Sequence, residues 1–177
     1  VFMFRGEITE FQFYQNRKAE KLIMMPFCQE DLEMHGHNFF ELAYITGGTA
    51  EHTLENEGKT ISAGDYFIVD YGCLHGFQNC KNLTLINCLF LPETVDETLQ
   101  GCRSFSKLLQ GCLLKYYRMS LGQAKFARVF HDRDGQVGQL MQEMLLEYQE
   151  QKVGCYPLLR LKLLEILLLT LRGLIEP

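Results

Sequence analysis

Two histidines and a glutamate lie close together in the first third of the chain, in the string His35-Gly-His37-x-x-x-Glu41. Successive side chains of an extended strand point to opposite faces, so positions 35, 37, 39 and 41 would share one face, with Phe39 between the polar groups. Imidazole and carboxylate groups are ligands of divalent transition metals, with nitrogen at about 2.0–2.1 Å from zinc. The string therefore predicts a metal site or a polar binding pocket.

His75 is the predicted fourth member of this site. It follows an apolar run in the string Gly64-Asp65-x4-Asp70-x-Gly72-x-x-His75-x3-Asn79. Three histidines and one carboxylate suit zinc, nickel, iron or manganese, and the residue types alone do not choose among these metals. The alternative is that the same four side chains line a pocket without a metal, where they hydrogen bond to a small molecule or to one another.

His52 and Cys73 are further candidates for this pocket. His52 shares a strand face with Ala50 and Leu54, and we favour the alternative that it is a histidine of the core or rim. Cys73 lies two residues before His75, and a nearby imidazolium or metal would lower its pKa. A buried, inert thiol is the alternative that we favour. The seven scattered cysteines contain no CxxC pair, which predicts reduced thiols and a cytoplasmic protein.

Short apolar runs separated by turn residues make up the first hundred residues, which indicates a compact antiparallel sandwich or barrel. The predicted breaks are Gly47-Gly48, Asn56-Glu57-Gly58, Ala63-Gly64-Asp65 and Lys81-Asn82. The second of these breaks is typical of a hairpin loop in which Gly58 supplies a positive φ.

Helical periodicity begins after Pro92 and predicts helices over 105–117, 134–150 and 156–174, with Asp132 or Asp134 as the N-cap of the second. The apolar stripe of that second helix is a candidate dimer face. Packing of the stripe against its own barrel is the alternative, which periodicity alone cannot separate from a dimer face. The stripe consists of Val137, Leu140, Met141, Met144, Leu145 and Tyr148. Charges within the last helix argue against a membrane span.

The spacing HxHx3Ex6G from His35 to Gly48, followed by Gx7GxxHx3N from Gly64 to Asn79, resembles the two motifs of the cupin family. Two positions depart from that pattern: Gln29 stands where the family has glycine, and Asp70 where it has proline. The longer string HGHNFFELAYITGGTAEHTLENEGKTISAGDYFIVDYGCLHGF resembles the sensory domain of AraC-type transcription regulators.

This resemblance implies a mainly β fold with C-terminal helices: a cupin double-stranded β-helix, or jelly-roll barrel, followed by about three α-helices. Residues 1–98 would form an effector-binding barrel, and residues 99–177 a helical dimerisation and linker region packed on the barrel. The N-terminal aromatic residues would form an arm over the effector or an ordinary edge strand. These residues are Phe2, Phe4, Phe11, Phe13 and Tyr14.

The resemblance also implies a homodimer that senses a small molecule (a sugar, a polyol or a small carboxylate) and is not an enzyme. The implied ligand-binding residues are His35, His37, Phe39, Glu41, His52, Cys73 and His75. DNA would be bound only through a C-terminal helix-turn-helix domain absent from this sequence. The net charge of −5 and the dispersed Lys and Arg residues agree, because phosphate contacts need clustered positive charge.

A metal-dependent cupin enzyme, such as a dioxygenase, isomerase or lyase, is the alternative function. In such an enzyme His35, His37, Glu41 and His75 would hold the metal, which would act as a Lewis acid or activate oxygen. Nothing in the sequence marks an additional general base, and the leucine-rich helical region has no evident use in catalysis.

Overall fold

The computed structural model describes residues 21–112 and 129–175. Over these residues the chain forms one antiparallel sheet of seven strands and three α-helices, so the predicted fold class is confirmed. The strands are β1 (Leu22–Gln29), β2 (Leu32–His35), β3 (Phe40–Leu54), β4 (Glu57–Ser62), β5 (Asp65–Val69), β6 (His75–Phe90) and β7 (Val129–His131). The 3-10 helices Pro92–Thr94 and Glu97–Leu99 follow β6, and the α-helices are α1 (Phe105–Cys112), α2 (Gln136–Glu150) and α3 (Cys155–Ile175).

The long strands β3 and β6 form the centre of the sheet, paired from Phe40 opposite Phe90 to Leu54 opposite His75. The predicted breaks at Gly47-Gly48 and Lys81-Asn82 are wrong, because register shifts let both strands continue through these positions. Gly48 has φ +74, and a Cβ there would lie 2.2 Å from a backbone oxygen, so the close approach of the strands requires glycine.

The hairpin between β3 and β4 turns at Glu55 and Asn56. Glu55 takes the positive φ of 54, whereas Gly58 belongs to β4. The prediction that Gly58 supplies the positive φ is therefore wrong.

The two faces of the sheet carry different sets of apolar side chains, because residues alternate between the faces. The inner set includes Ala43, Phe67 and Leu85 and fills the interior around which the sheet curls. The outer set includes Leu42 and Ile68 and packs against the helices in the larger cluster. The outer face of the barrel is therefore the surface on which the helices lie.

The apolar stripe of α2 packs within the chain against the sheet and α3. Four of its members, Val137, Leu140, Met141 and Met144, are buried in that cluster, and Leu145 and Tyr148 are partly buried against it. The prediction that this stripe forms a dimer face is therefore wrong. Periodicity identified the apolar side of the helix, but the barrel and α3 already cover it.

The helix boundaries lie within two residues of their predicted positions for α2 and α3. The prediction that Asp132 or Asp134 is the N-cap is wrong, because Gly135, in the left-handed conformation, occupies the N-cap position of α2. The carboxylate of Asp132 nevertheless accepts hydrogen bonds from the backbone N–H groups of Val137 and Gly138, at 3.3 and 2.8 Å. Asp132 thus stabilises the helix start from outside the N-cap position.

Several predictions concern residues outside the described part of the chain, namely the N-terminal arm and residues 113–117 of the first helix. Within the described part, no helix has the length and apolar character needed to cross a bilayer. Cys28, Cys73, Cys80, Cys88 and Cys102 are free thiols.

Candidate functional site

The segment that carries His35, His37 and Glu41 is bent, and the prediction of one continuous strand is wrong. His35 ends β2, His37 forms a single bridge, residues 38–39 bend, and Glu41 lies on β3. The bend turns Phe39 away from a shared strand face. Its ring is fully buried beside Leu91 and stacks on the imidazole of His37, with ring centroids 4.3 Å apart. Phe39 therefore packs against one face of the His37 ring and helps to fix its orientation.

His75, the first residue of β6, is brought to this segment by strand pairing. His35 and His75 are register partners of β2 and β6, with ring centroids 4.3 Å apart. The loop before His75 is held by Gly72, which has φ +69 and donates its N–H to the carbonyl of His37 at 2.8 Å. Glycine adopts a positive φ without the steric cost that a side chain brings, which explains this residue in the loop.

Three buried side chains converge to form the centre of the site: His37, Glu41 and His75. One nitrogen or oxygen atom from each lies within 4.8 Å of the others. Glu41 Oε2 lies 3.3 Å from His37 Nε2 and 3.8 Å from His75 Nε2. The nitrogens of His35 fall outside this group, so three of the four predicted metal ligands come together.

The hydrogen bond of His37 determines what this centre can hold. Its Nδ1 lies 2.9 Å from the carbonyl oxygen of Phe39, which can only accept, so Nδ1 carries a proton. In the neutral ring Nε2 then presents a lone pair towards Glu41. Two acceptors facing each other at this distance need a proton or a cation between them. The donor set therefore fits a divalent transition metal.

The pKa values show how burial acts on the cluster. Burial lowers the pKa of His75 to about 3, although the charge of Glu41 opposes this effect. Burial alone would raise the pKa of Glu41, but the nearby imidazoles of His37, His75 and His35 lower it to about 2. At neutral pH the cluster thus presents a carboxylate beside the neutral ring of His75.

His52 lies deeper in the barrel interior, opposite Phe77 in the β3–β6 register. Its ring stacks on Phe67 at 4.0 Å and lies edge-on to His75 at 5.7 Å. Both of its ring nitrogens are buried without a hydrogen-bond partner. Burial lowers the pKa of His52 to about 4. The structure therefore places His52 in the same interior as the cluster. This agrees with the sequence-based suggestion that His52 reaches the pocket, and its burial also fits a histidine of the core.

Asn87 is a polar residue of the interior that the sequence reasoning missed. It is the register partner of Ala43, and its buried Oδ1 has no hydrogen-bond partner. The alternation of side chains along a strand could have identified it. Leu83, Leu85 and Asn87 occupy alternate positions of β6 and share its inward face, so Asn87 places an amide among apolar side chains.

Cys73 is partly buried against the inner apolar cluster. Burial, with smaller contributions from Asp70 and Glu55, raises the pKa of its thiol to about 11. A thiol with this pKa is protonated at neutral pH, and a protonated thiol is a poor nucleophile and metal ligand. These values support the inert alternative over a reactive cysteine.

Comparison with known proteins gives one family match. The family model described as the AraC-like ligand binding domain matches residues 27–167. Among curated proteins, the HTH-type transcriptional activator RhaR of Yersinia pestis (bv. Antiqua, strain Angola) is 28% identical over 67 residues, which is 38% of this chain and 23% of that protein. The corresponding RhaR of Cronobacter sakazakii is 32% identical over 59 residues, 33% of this chain and 21% of that protein. The matched stretch spans less than a quarter of each relative.

Two solved structures are also similar to part of the chain. An RmlC-like cupin from Shewanella frigidimarina is 22% identical with a TM-score of 0.37, over 40% of this chain and 66% of that one. The structure of KdgF from Halomonas sp. is 23% identical with a TM-score of 0.37, over 40% of this chain and 69% of that one.

Proposed function

The chain belongs to the AraC-like ligand binding domain family, and from this premise we propose that it is the effector-binding domain of an AraC-type transcription regulator. A small molecule binds inside the barrel and changes DNA binding by a helix-turn-helix domain outside this chain. The relatives that it matches are named as HTH-type transcriptional activators, which supports this proposal.

The observation that carries the proposal is the set of unpartnered polar groups in the barrel interior. The ring nitrogens of His52 and His75 and the Oδ1 atom of Asn87 are buried without hydrogen-bond partners. Each such group costs about 1–3 kcal/mol unless something bonds to it. A sugar, a polyol or a small carboxylate has several oxygen atoms that can pair with these groups, which is why this effector class fits the interior.

The same centre supports metal binding as part of this function. His37, Glu41 and His75 would hold the ion, because their donor atoms converge and are buried. A bound divalent ion would supply a positive centre that attracts an oxygen atom of the effector. His52 and Asn87 would then contact the remainder of the effector.

Titration calorimetry on the chain, purified without a metal-affinity tag, tests the proposal. The probes are Zn²⁺ or Ni²⁺ alone and a panel of sugars, polyols and small carboxylates. We expect His75→Ala to weaken binding of any active probe at least 10-fold. The matched control is His131→Ala, since that ring is 59% exposed and pairs with Asp65 outside the barrel interior. Equal binding by the wild type and His75→Ala would contradict the proposed site.

A second candidate function rests on the three convergent donors. A metal-dependent cupin enzyme would use the same His37, Glu41 and His75. Product formation from a bound probe, lost in His75→Ala and after chelation, would favour the enzyme. Reversible binding with full recovery of the probe would favour the sensor.

A further inference from the structure

The imidazole of His75 is held in place differently from that of His37. The ring of His37 is fixed by the hydrogen bond from its Nδ1 to the carbonyl of Phe39. Both ring nitrogens of His75, by contrast, are buried without a hydrogen-bond partner among the described residues. A histidine that binds a metal almost always has its second ring nitrogen bonded, and that bond fixes the direction of the ring. The direction of the His75 ring therefore depends on the backbone that carries it.

The loop that precedes His75 lies against the segment around His37. Gly72 donates its N–H to the carbonyl of His37. Leu74 packs against Gly36, where a Cβ would lie 3.4 Å from Leu74 Cδ2. Neither contact uses the backbone N–H or C=O of Leu74, which is the residue directly before His75.

Glu55, at the turn between β3 and β4, bonds to both of these backbone groups. Its N–H donates to the carbonyl of Leu74 at 2.7 Å, and its Oε1 accepts the N–H of Leu74 at 2.9 Å. Opposed residues of antiparallel strands commonly exchange two such bonds through their backbones. Here the side chain of Glu55 supplies one of the two acceptors. Glu55 thereby extends the pairing of β3 with β6 one residue beyond Leu54 and His75.

The backbone conformation of Glu55 is one that glycine adopts more easily. Its φ of 54 lies in the left-handed region, where a residue with a Cβ meets a steric cost. A glycine would fit this turn, but it could not accept the N–H of Leu74. Strain of this kind persists where surrounding contacts hold the residue, and it is often found beside functional sites.

We propose that Glu55 is a positioning residue for His75: it fixes the peptide that leads into β6 and thereby directs the His75 ring towards Glu41. Glu55 is itself exposed, so it acts on the buried cluster through the loop. The inference rests on the proposed function, because the direction of the His75 ring matters to the protein only if the cluster binds a ligand.

Three substitutions separate the hydrogen bond of Glu55 from the shape of the turn. Glu55→Gln keeps an acceptor oxygen and should behave like the wild type. Glu55→Gly removes the acceptor but also removes the steric cost of the positive φ, so the hairpin should still form. Glu57→Gln is the matched control for the loss of charge, because Glu57 follows the same turn as the first residue of β4.

Hydrogen exchange of the Leu74 amide and the NMR signals of the His75 ring report this positioning without any metal. We expect Glu55→Gly to speed exchange at Leu74 and to shift the His75 ring signals. Glu55→Gln and Glu57→Gln should leave both as in the wild type. Unchanged ring signals in Glu55→Gly would overturn the inference, whatever the chain binds.

Titration with Zn²⁺ or Ni²⁺ then relates the positioning to the proposed function. We expect Glu55→Gly to weaken binding by about 10-fold, the lower end of the loss when a residue that orients a metal ligand is changed, and Glu55→Gln to retain it. Equal affinities of the wild type and Glu55→Gly would overturn the positioning role alone. A wild type that binds neither ion nor any other probe would instead contradict the proposed function, and the ring signals would still decide whether Glu55 orients His75.

Discussion

The outer and inner faces of the sheet differ in how their polar side chains are paired. On the outer face Tyr66 Oη hydrogen bonds with Thr170 Oγ1 at 3.1 Å, and the Tyr44 hydroxyl donates to the carboxylate of Asp132. On the inner face both ring nitrogens of His52 have no hydrogen-bond partner. The two faces are made by alternate residues of the same strands, so local backbone structure does not explain this difference. Helices cover the outer face and supply partners for its polar groups. The inner face encloses polar groups for which the described residues supply no hydrogen-bond partner.

The two faces therefore contribute differently: the inner face to binding and the outer face to stability. Buried polar groups in folded proteins are nearly always hydrogen bonded, so unpartnered ones need an explanation. A ligand or metal that pairs with the inner groups provides that explanation, and substitutions there should affect binding more than stability. Substitutions on the outer face should do the reverse.

The largest expected effect is in the cluster between the outer face of the sheet and the helices, at Leu163 of α3, which is fully buried. Leu163→Ala removes buried methyl groups and leaves a cavity, so the free energy of unfolding should fall by about 2–5 kcal/mol. Urea denaturation measures this loss. Leu146→Ala on the exposed side of α2 is the control and should change the stability by less than about 0.5 kcal/mol. If Leu163→Ala lowers the free energy of unfolding by less than about 1 kcal/mol, the cluster between the sheet and the helices is not the main core.

The next largest expected effect is a change of stability with pH at Asp70. This residue is a partly buried titratable group on a face whose other polar side chains are hydrogen bonded. It stands at the position where the cupin pattern has proline, and its carboxylate accepts the N–H of Phe105 at the start of α1, at 3.0 Å. Burial nevertheless raises its pKa from 3.8 to about 6, against the effect of this hydrogen bond. The folded state therefore favours the protonated carboxyl group.

The sign of the pH dependence follows from this raised pKa. The stability associated with protonated Asp70 is fully present below about pH 4 and is lost as the pH rises to about 6. Asp70→Asn keeps the acceptor oxygen and removes this titration. Its stability relative to the wild type should therefore rise between pH 4 and 7, by about 2 kcal/mol. Urea denaturation at several pH values measures the difference, and a constant difference would show that Asp70 ionises freely in the folded protein.

The smallest expected effect is on the inner face and has the opposite sign. His52→Leu replaces an unpartnered imidazole between Phe67 and Phe77 by an apolar side chain, so the unfolding free energy should rise by about 1 kcal/mol. Thermal denaturation of the chain without added ligand measures this gain. His131→Leu is the matched control, and it should stabilise nothing because that ring is paired with Asp65 at 2.8 Å. A destabilised His52→Leu would show that His52 is satisfied by water.

The sequence predicted helices α2 and α3 and most of the strands, and it predicted that His37, Glu41 and His75 lie together. Spacing located His37, Glu41 and His75, because the cupin resemblance relates residues that are distant in the chain. It did not predict the bend at residues 38–39, which depends on where Phe39 finds space to pack. It also assigned the dimer face to α2, because an apolar stripe looks the same whether a barrel or a second copy covers it. Tertiary packing decides both questions.

The pairing of β3 with β6 has a consequence for how the protein folds. Glu41 lies on β3 and His75 begins β6, so the cluster exists only in the folded sheet. Non-local ladders of this kind form late and slowly, and an unfolded chain cannot present the cluster. A molecule that binds the cluster thus binds the completed fold alone, and at 100 times its Kd it would add about 2.7 kcal/mol to the stability of the whole barrel. Ligand supply would in this way also control how much folded protein persists.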